Sequence, residues 1–390
     1  MDLRPPLSLF RKIEDEAKGR FAPLDGLRAL AALSVLCSHT GVLPLPFGTL
    51  GVILFFNLST FLLSPPFITS NEIFSLSGTL RFWVRRICRI MPMLIVYVFI
   101  YGALVEGGSS FIIDSLIKFK GYGHLWTINQ EMLFYAVMPA FAALVGPVRS
   151  RPLLAAAILL LLAIIADKYL TYEVFKLPGM TGYQQFFLSS FLMGMASAYM
   201  VPYMKPLANK IKDDHLSRSL LLAVILGCLI SMQWAMVNIY IETGANVVGN
   251  WALLMSIGCC ALLLWITSIS HNWLSVILSF WPIRVTGIVG YSFYLWHWIP
   301  VILLPQEWLP IVRFSIAFFA TFALSLVTFL VIERPGIRLG AKLASILARP
   351  PAMSCIEQTY ARQWAKRTKI GSLATVFRSS AETQSKNRAG

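Results

Sequence analysis

The residues 24–40 read LDGLRALAALSVLCSHT, an apolar run that still carries Arg28 and His39. On an α-helix, eleven positions at 100° each bring both side chains to nearly the same face, about 16 Å apart along the axis. An imidazole with its ordinary pKa of about 6.5 accepts a proton at neutral pH, and a guanidinium fork grips anionic oxygens in pairs. One helix face thus carries an anion-binding group and a base. The stretch HLWTINQEMLFY adds His124 and Glu131, seven residues apart and expected on one face of a second helix. YSFYLWHW adds Tyr294 and His297, and RFWVRRICRIMP sets Arg85, Arg86 and Arg89 at spacings of three and four with Pro92 soon after. Ionisable groups are costly in lipid and usually face a bundle interior or aqueous cavity, so they point to proton transfer beside anion binding.

Each group also has a purely structural reading. Arg28 fits a snorkelling side chain with its head at the lipid phosphates. Buried neutral histidines bond across helices, His297 fits an aromatic belt, and the arginine cluster fits ordinary cytoplasmic anchoring.

The elements that position these residues follow from composition. Of the 390 residues, 57% are hydrophobic and 13% charged, and the mean hydropathy is +0.69. Soluble domains carry about a quarter charged residues, so this is the composition of an all-α, polytopic membrane protein. Apolar stretches at about 24–45, 48–68, 88–106, 124–146, 152–171, 184–204, 217–239, 248–269, 285–304 and 312–332 each approach the roughly 20 residues of a bilayer-spanning helix. Ten transmembrane helices are expected. With both termini cytoplasmic, 27 of the 33 lysines and arginines lie inside and five outside, with Arg28 within the first span. The positive-inside rule gives that orientation, and a net charge of +15 then needs no nucleic acid to explain it.

The organisation read from the sequence is a cytoplasmic segment over 1–23, a transmembrane domain over 24–335 and a basic tail over 336–390, partly disordered. Residues 1–23 resemble a cytoplasmic lead-in more than a signal peptide. The six cysteines form no disulfide framework, and no compact metal-ligand motif occurs.

Six ordered segments carry a family resemblance: LDGLRALAALSVLCSH, GVILFFNLSTFLL, RFWVRRICRIMP, HLWTINQEMLFY, YSFYLWHW and VIERP, running from residue 24 to about 335. The sequence resembles the acyltransferase family 3 membrane proteins, which O-acylate carbohydrates and related acceptors. The resemblance implies a ten-span domain of a bacterial inner membrane. It would take an acyl group, usually acetyl, from cytoplasmic acyl-CoA and give it to a hydroxyl of a glycan or lipid-linked sugar at the outer face. Arg28 and His39 match the family's essential pair, Arg86 and Arg89 its RxxR pair, and Glu131 the glutamate of its HLW motif. Ile53, Asn57 and Thr60 depart from the usual GVDLFFVLSGF, and Met132 and Leu133 replace an acidic residue and a glutamine. These departures are expected beside the site and bear on the acceptor.

In the reading that follows, His39 is the base and Glu131 orients it, while Arg28, Arg85, Arg86 and Arg89 hold the CoA phosphates. Asn57, Ser59, His124, Tyr294 and His297 are expected to serve the oxyanion or the acceptor hydroxyl. No permanently bound cofactor and no metal are expected; acyl-CoA is a substrate. The alternative from a different class is a multi-span transporter of a sugar or acylated lipid, with buried His and Glu as a proton relay.

Overall fold

The computed structural model describes residues 10, 13 and 21–347, without 107–108, 118–120, 122, 171–186, 212–213, 245–250 and 270–272. The basic tail beyond 347 and most of the N-terminal lead-in therefore lie outside the described residues. Among the described residues every regular element is helical. The main helices are α1 (Ala22–His39), α2 (Leu45–Leu63), α3 (Leu76–Tyr101), α4 (Trp126–Val145), α5 (Pro152–Ile165), α6 (Leu188–Lys210), α7 (His215–Thr243), α8 (Ala252–Ser268), α9 (Trp281–Ile288), α10 (Gly290–Trp296), α11 (Trp298–Leu303), α12 (Pro310–Thr328) and α13 (Arg334–Ile346).

Their ends follow local chemistry. Proline occupies the first turn of α1, α2, α5 and α12, where its missing N–H has no intrahelical acceptor to lose. The Ser75 hydroxyl accepts from the Gly78 N–H at 3.0 Å and starts α3. Asp214 caps α7 by accepting from the Leu216 and Ser217 N–H groups, and its hydrogen bonds, the Ser217 side chain's first among them, hold the exposed carboxyl below its ordinary range. Gly244, at φ 67°, ends that helix in the left-handed region.

The described parts of the ten apolar stretches are mostly helical, but the count of ten spans is not reproduced. By length and composition, six helical segments suffice to cross a membrane: Leu45–Thr69, Leu76–Leu104, Gly123–Val148, Pro152–Tyr169, His215–Thr243 and Pro310–Ile346. Three of the shortfalls have visible causes. The first helix has 18 residues and spends its opening turns on Asp25 and Arg28, the eighth has 17 residues, and the ninth stretch is divided into α9, α10 and α11. The chain also stays helical beyond 335. It passes through a π-helical turn at Phe329–Glu333 into α13, which packs along α3.

The core lies between α1, α2, α3, α4, α6 and α8, with Phe56, Phe61, Phe134, Phe191 and Tyr97 fully enclosed. The most extensive pairings are α1 with α2 and α9, α6 with α2, α5 and α8, and α3 with α13. Where α2 crosses α6, a Cβ at Gly194 would lie 2.1 Å from Thr60 Oγ1 and 2.2 Å from the Asn57 carbonyl oxygen. Only glycine lets the backbones approach this closely.

Candidate active site

The residues singled out in the sequence separate into two groups at different heights along α1. The lower group surrounds a cavity of about 220 Å³. Arg28 from α1, Arg86 and Arg89 from α3, Ser59 from α2, and Glu131 and Tyr135 from α4 line it, together with Asp25 and Tyr291. Arg86 and Arg89 are one helical turn apart, which places both guanidinium groups on the cavity side of α3. Arg85, on the neighbouring position, is exposed and outside the lining. Asp25 sits one turn before Arg28 with its Oδ1 3.4 Å from the Arg28 Nη1, and its Oδ2 lies 3.8 Å from Arg284 Nε of α9. This carboxylate fixes the Arg28 head against α9 and away from a purely lipid-directed pose.

Glu131 belongs to the same lower group. Its Oε1 accepts from the Ser59 hydroxyl at 2.7 Å and from the Tyr135 hydroxyl, one turn along α4. The expected contact between Glu131 and His39 is absent from the hydrogen bonds of the described residues. The cause is local. His124 lies in a 3-10 turn, Gly123–Leu125, that begins at a left-handed Gly123 with φ 53° and precedes α4 proper. That change of winding takes His124 off the Glu131 face.

The upper group is a histidine cluster. His39 is the last residue of α1, and its ring stacks on His297 with centroids 5.4 Å apart and meets the edge of Trp298 at 4.9 Å. His124 stands 5.1 Å from His297 and 5.6 Å from Trp298. His297 Nδ1 faces the Tyr294 carbonyl and donates to it, which leaves Nε2 as the nitrogen with the free lone pair. The Tyr294 hydroxyl donates to the His124 carbonyl at 2.9 Å and pins the 3-10 turn to α10. His124 and His297 are almost fully buried, at 5% and 1% exposure, whereas His39 is partly open. His39 thus sits at the rim of a buried aromatic cluster that holds two further imidazoles.

A narrow apolar slot links the two groups. It shares Phe55, Glu131 and Tyr291 with the arginine cavity and runs past Ala31, Ala32, Val35 and Gly51 to Tyr294. Its volume of about 20 Å³ is room for one water, so the passage is closed in this conformation.

Other sequence candidates fall elsewhere. Asn57 is fully buried. Its Nδ2 donates to the Ile53 carbonyl at 2.8 Å and to Ser256 Oγ at 3.2 Å, while Cys260 Sγ donates to its Oδ1 at 3.0 Å. Its polar atoms are thus committed to holding α2 on α8. Thr60 is also fully buried, where α2 meets α6 at Gly194, and Ile53 is buried in the core; none of these three departures lines the cavity that they were expected to flank. Met132 faces a separate apolar recess and Leu133 is half-buried. Among the described residues, no group of three or more His, Cys, Asp and Glu is placed to hold a metal ion.

The sequence reading omitted Asp25, Tyr135, Tyr291 and Trp298. Two of these left a signal at helical spacing, since Asp25 precedes Arg28 by three residues and Tyr135 follows Glu131 by four. Tyr291 and Trp298 gave none of that kind. The Tyr291 hydroxyl donates to the Ile90 carbonyl across 201 residues, a contact that only the fold supplies.

An arginine-lined cavity thus lies toward one end of α1 and a histidine cluster at the other, within a bundle of apolar helices. The family model for this acyltransferase domain matches residues 21–332, and the chain belongs to acyltransferase family 3, a multi-pass membrane protein. The chain is 26% identical over 355 residues to the peptidoglycan O-acetyltransferase OatA of Listeria monocytogenes, covering 80% of this chain and 55% of that one. It is 29% identical over 329 residues to a Bacillus subtilis protein named "Putative peptidoglycan O-acetyltransferase YrhL", covering 73% and 49%. The chain thus spans about half the length of these curated relatives. No solved structure matches it.

Proposed function

We propose that this chain is a membrane-bound O-acyltransferase that moves an acyl group, acetyl above all, from cytoplasmic acyl-CoA to a glycan hydroxyl at the outer face. The observation that carries the reading is the placement of an arginine cavity and a histidine cluster at opposite ends of α1, joined by a slot. In this reading the domain makes ten crossings of a bacterial inner membrane with both termini cytoplasmic. The broken α9–α11 stretch supplies one of them.

Arg28, Arg86 and Arg89 hold the CoA phosphates by paired, charge-assisted hydrogen bonds. Glu131, fixed by Ser59 and Tyr135, balances the mutual repulsion of these guanidinium groups and keeps them oriented toward the cavity. The flexible pantetheine arm extends along the slot once it opens and presents the thioester near Tyr294. His39 removes the proton from the acceptor hydroxyl as its oxygen attacks the thioester carbonyl. The tetrahedral intermediate collapses, the C–S bond breaks, and the proton on His39 passes to the departing thiolate. His297 and Trp298 form the wall against which His39 packs and fix its ring plane. The names of the two relatives support a peptidoglycan or related carbohydrate acceptor.

The test is incubation of the purified protein and its His39→Ala variant with radiolabelled acetyl-CoA and either peptidoglycan fragments or a membrane glycolipid extract. Label should enter the glycan with stoichiometric CoA release in the wild type only. Solute uptake into vesicles that needs no acyl-CoA, with no label incorporated, would replace this reading with transport.

A further inference from the structure

A second recess opens sideways from the arginine cavity. Trp83, Arg86, Ile87 and Ile90 of α3 and Met132, Tyr135 and Ala136 of α4 line a groove of about 300 Å³, at the lower end of the roughly 300–1,000 Å³ typical of small-ligand sites. Arg86, Ile90 and Tyr135 form the partition, since all three also line the arginine cavity. The groove opens between two segments of membrane-spanning length, and Ile87 and Ala136 at its mouth are exposed. The Trp83 indole N–H donates to the Tyr135 carbonyl at 3.0 Å and pins α3 to α4 at the groove wall.

We infer that this groove is a binding site for an anionic membrane lipid, with an acyl chain along the apolar walls and the headgroup phosphate at Arg86. Three observations point there. The walls are apolar and face the side of the bundle where lipid chains are the available solvent. The polar group at the inner end is a cation, and its buried Nε has no hydrogen-bond partner. No carboxylate is among the described residues that line the groove, and the nearest, Glu131, stands behind the Tyr135 partition with its Oε1 taken up by the Ser59 and Tyr135 hydroxyls. The donor's own acyl chain is a poorer occupant, because under the proposed function it travels along the slot on the far side of Glu131. A lipid phosphate at Arg86 would steady the guanidinium that the donor meets from the other cavity; that consequence, unlike the binding itself, rests on the donor reading.

The test uses the full chain in detergent, read by native mass spectrometry with phosphatidylglycerol and phosphatidylcholine of identical acyl chains. The expected result is a preference of about fivefold for phosphatidylglycerol, the discrimination that one basic residue gives at a lipid surface. Ala136→Trp should reduce this to parity by filling the groove from an exposed position, and Ile87→Trp provides an independent block. Leu153→Trp, on an exposed face of α5, should leave the preference unchanged. Equal retention of the two lipids by the wild type, or a preference that survives both blocking variants, would overturn the inference. Neither readout depends on acyl-CoA, so failure of the donor reading would leave this result interpretable.

Discussion

The arginine cavity and the histidine cluster share α1 yet are built on opposite principles. The cavity is roomy, charged and cross-braced by carboxylates, with Asp25 against Arg28 and Arg284, and Glu131 held by Ser59 and Tyr135. The cluster is buried and aromatic, with three imidazoles packed among Trp298, Tyr294 and Tyr97 and, among the described residues, no carboxylate hydrogen-bonded to their rings. Under the proposed function, capture of the charged donor and proton transfer at His39 fall in these two different surroundings. The distance of about 16 Å between Arg28 and His39 keeps them apart on one rigid rod.

That contrast predicts separable losses. The largest belongs to His39. Replacing it with alanine should lower transfer by about 10²- to 10⁴-fold, the range for a general base, with donor affinity within about twofold of wild type. Arg86→Gln and Arg89→Gln should each weaken CoA binding by roughly 10- to 100-fold, as loss of a charge-assisted hydrogen bond does, and should flatten its dependence on salt. Calorimetric titration at two ionic strengths measures both. Glu131→Gln should weaken donor binding by about tenfold while leaving the histidine cluster intact; an effect confined to the pH dependence of transfer would move Glu131 to the His39 side of the comparison.

Outside the site, Gly194→Ala forces a Cβ into the Asn57 carbonyl. It should cost about 1–3 kcal/mol, seen as a lower thermal midpoint, with donor affinity unchanged in the fraction that folds. The smallest effect is expected for Arg85→Gln, within about twofold in CoA binding, because that side chain points away from the cavity. A loss as large as that of Arg86→Gln would enlarge the donor site to the exposed face of α3.

The sequence spoke plainly wherever one helix was enough. Arg28 and His39 on a common helix, and Arg86 with Arg89 one turn apart, follow from periodicity alone, and the helical class follows from composition. Two kinds of feature were hidden. Local winding was one: the left-handed Gly123 and the 3-10 turn after it send His124 to one group and Glu131 to the other, although seven residues of ideal helix would align them. The breaks that divide residues 281–303 into three short helices are of the same kind, and they place His297 at a junction and not in mid-span. The other was long-range pairing. Asn57 looks like an active-site amide until Ser256 and Cys260, about 200 residues away, take up its side chain. Hydrophobic period tells which face of a helix is buried, but not which neighbour buries it.

The most direct measurement is equilibrium binding of acetyl-CoA, paired with label transfer to glycan, for wild type, His39→Gln and Arg89→Gln in the same detergent. His39→Gln should bind donor like wild type and transfer nothing, while Arg89→Gln should lose donor affinity and recover transfer as donor concentration is raised. Parallel loss of binding and transfer in His39→Gln, or normal donor affinity in Arg89→Gln, would contradict the division of labour between the two ends of α1.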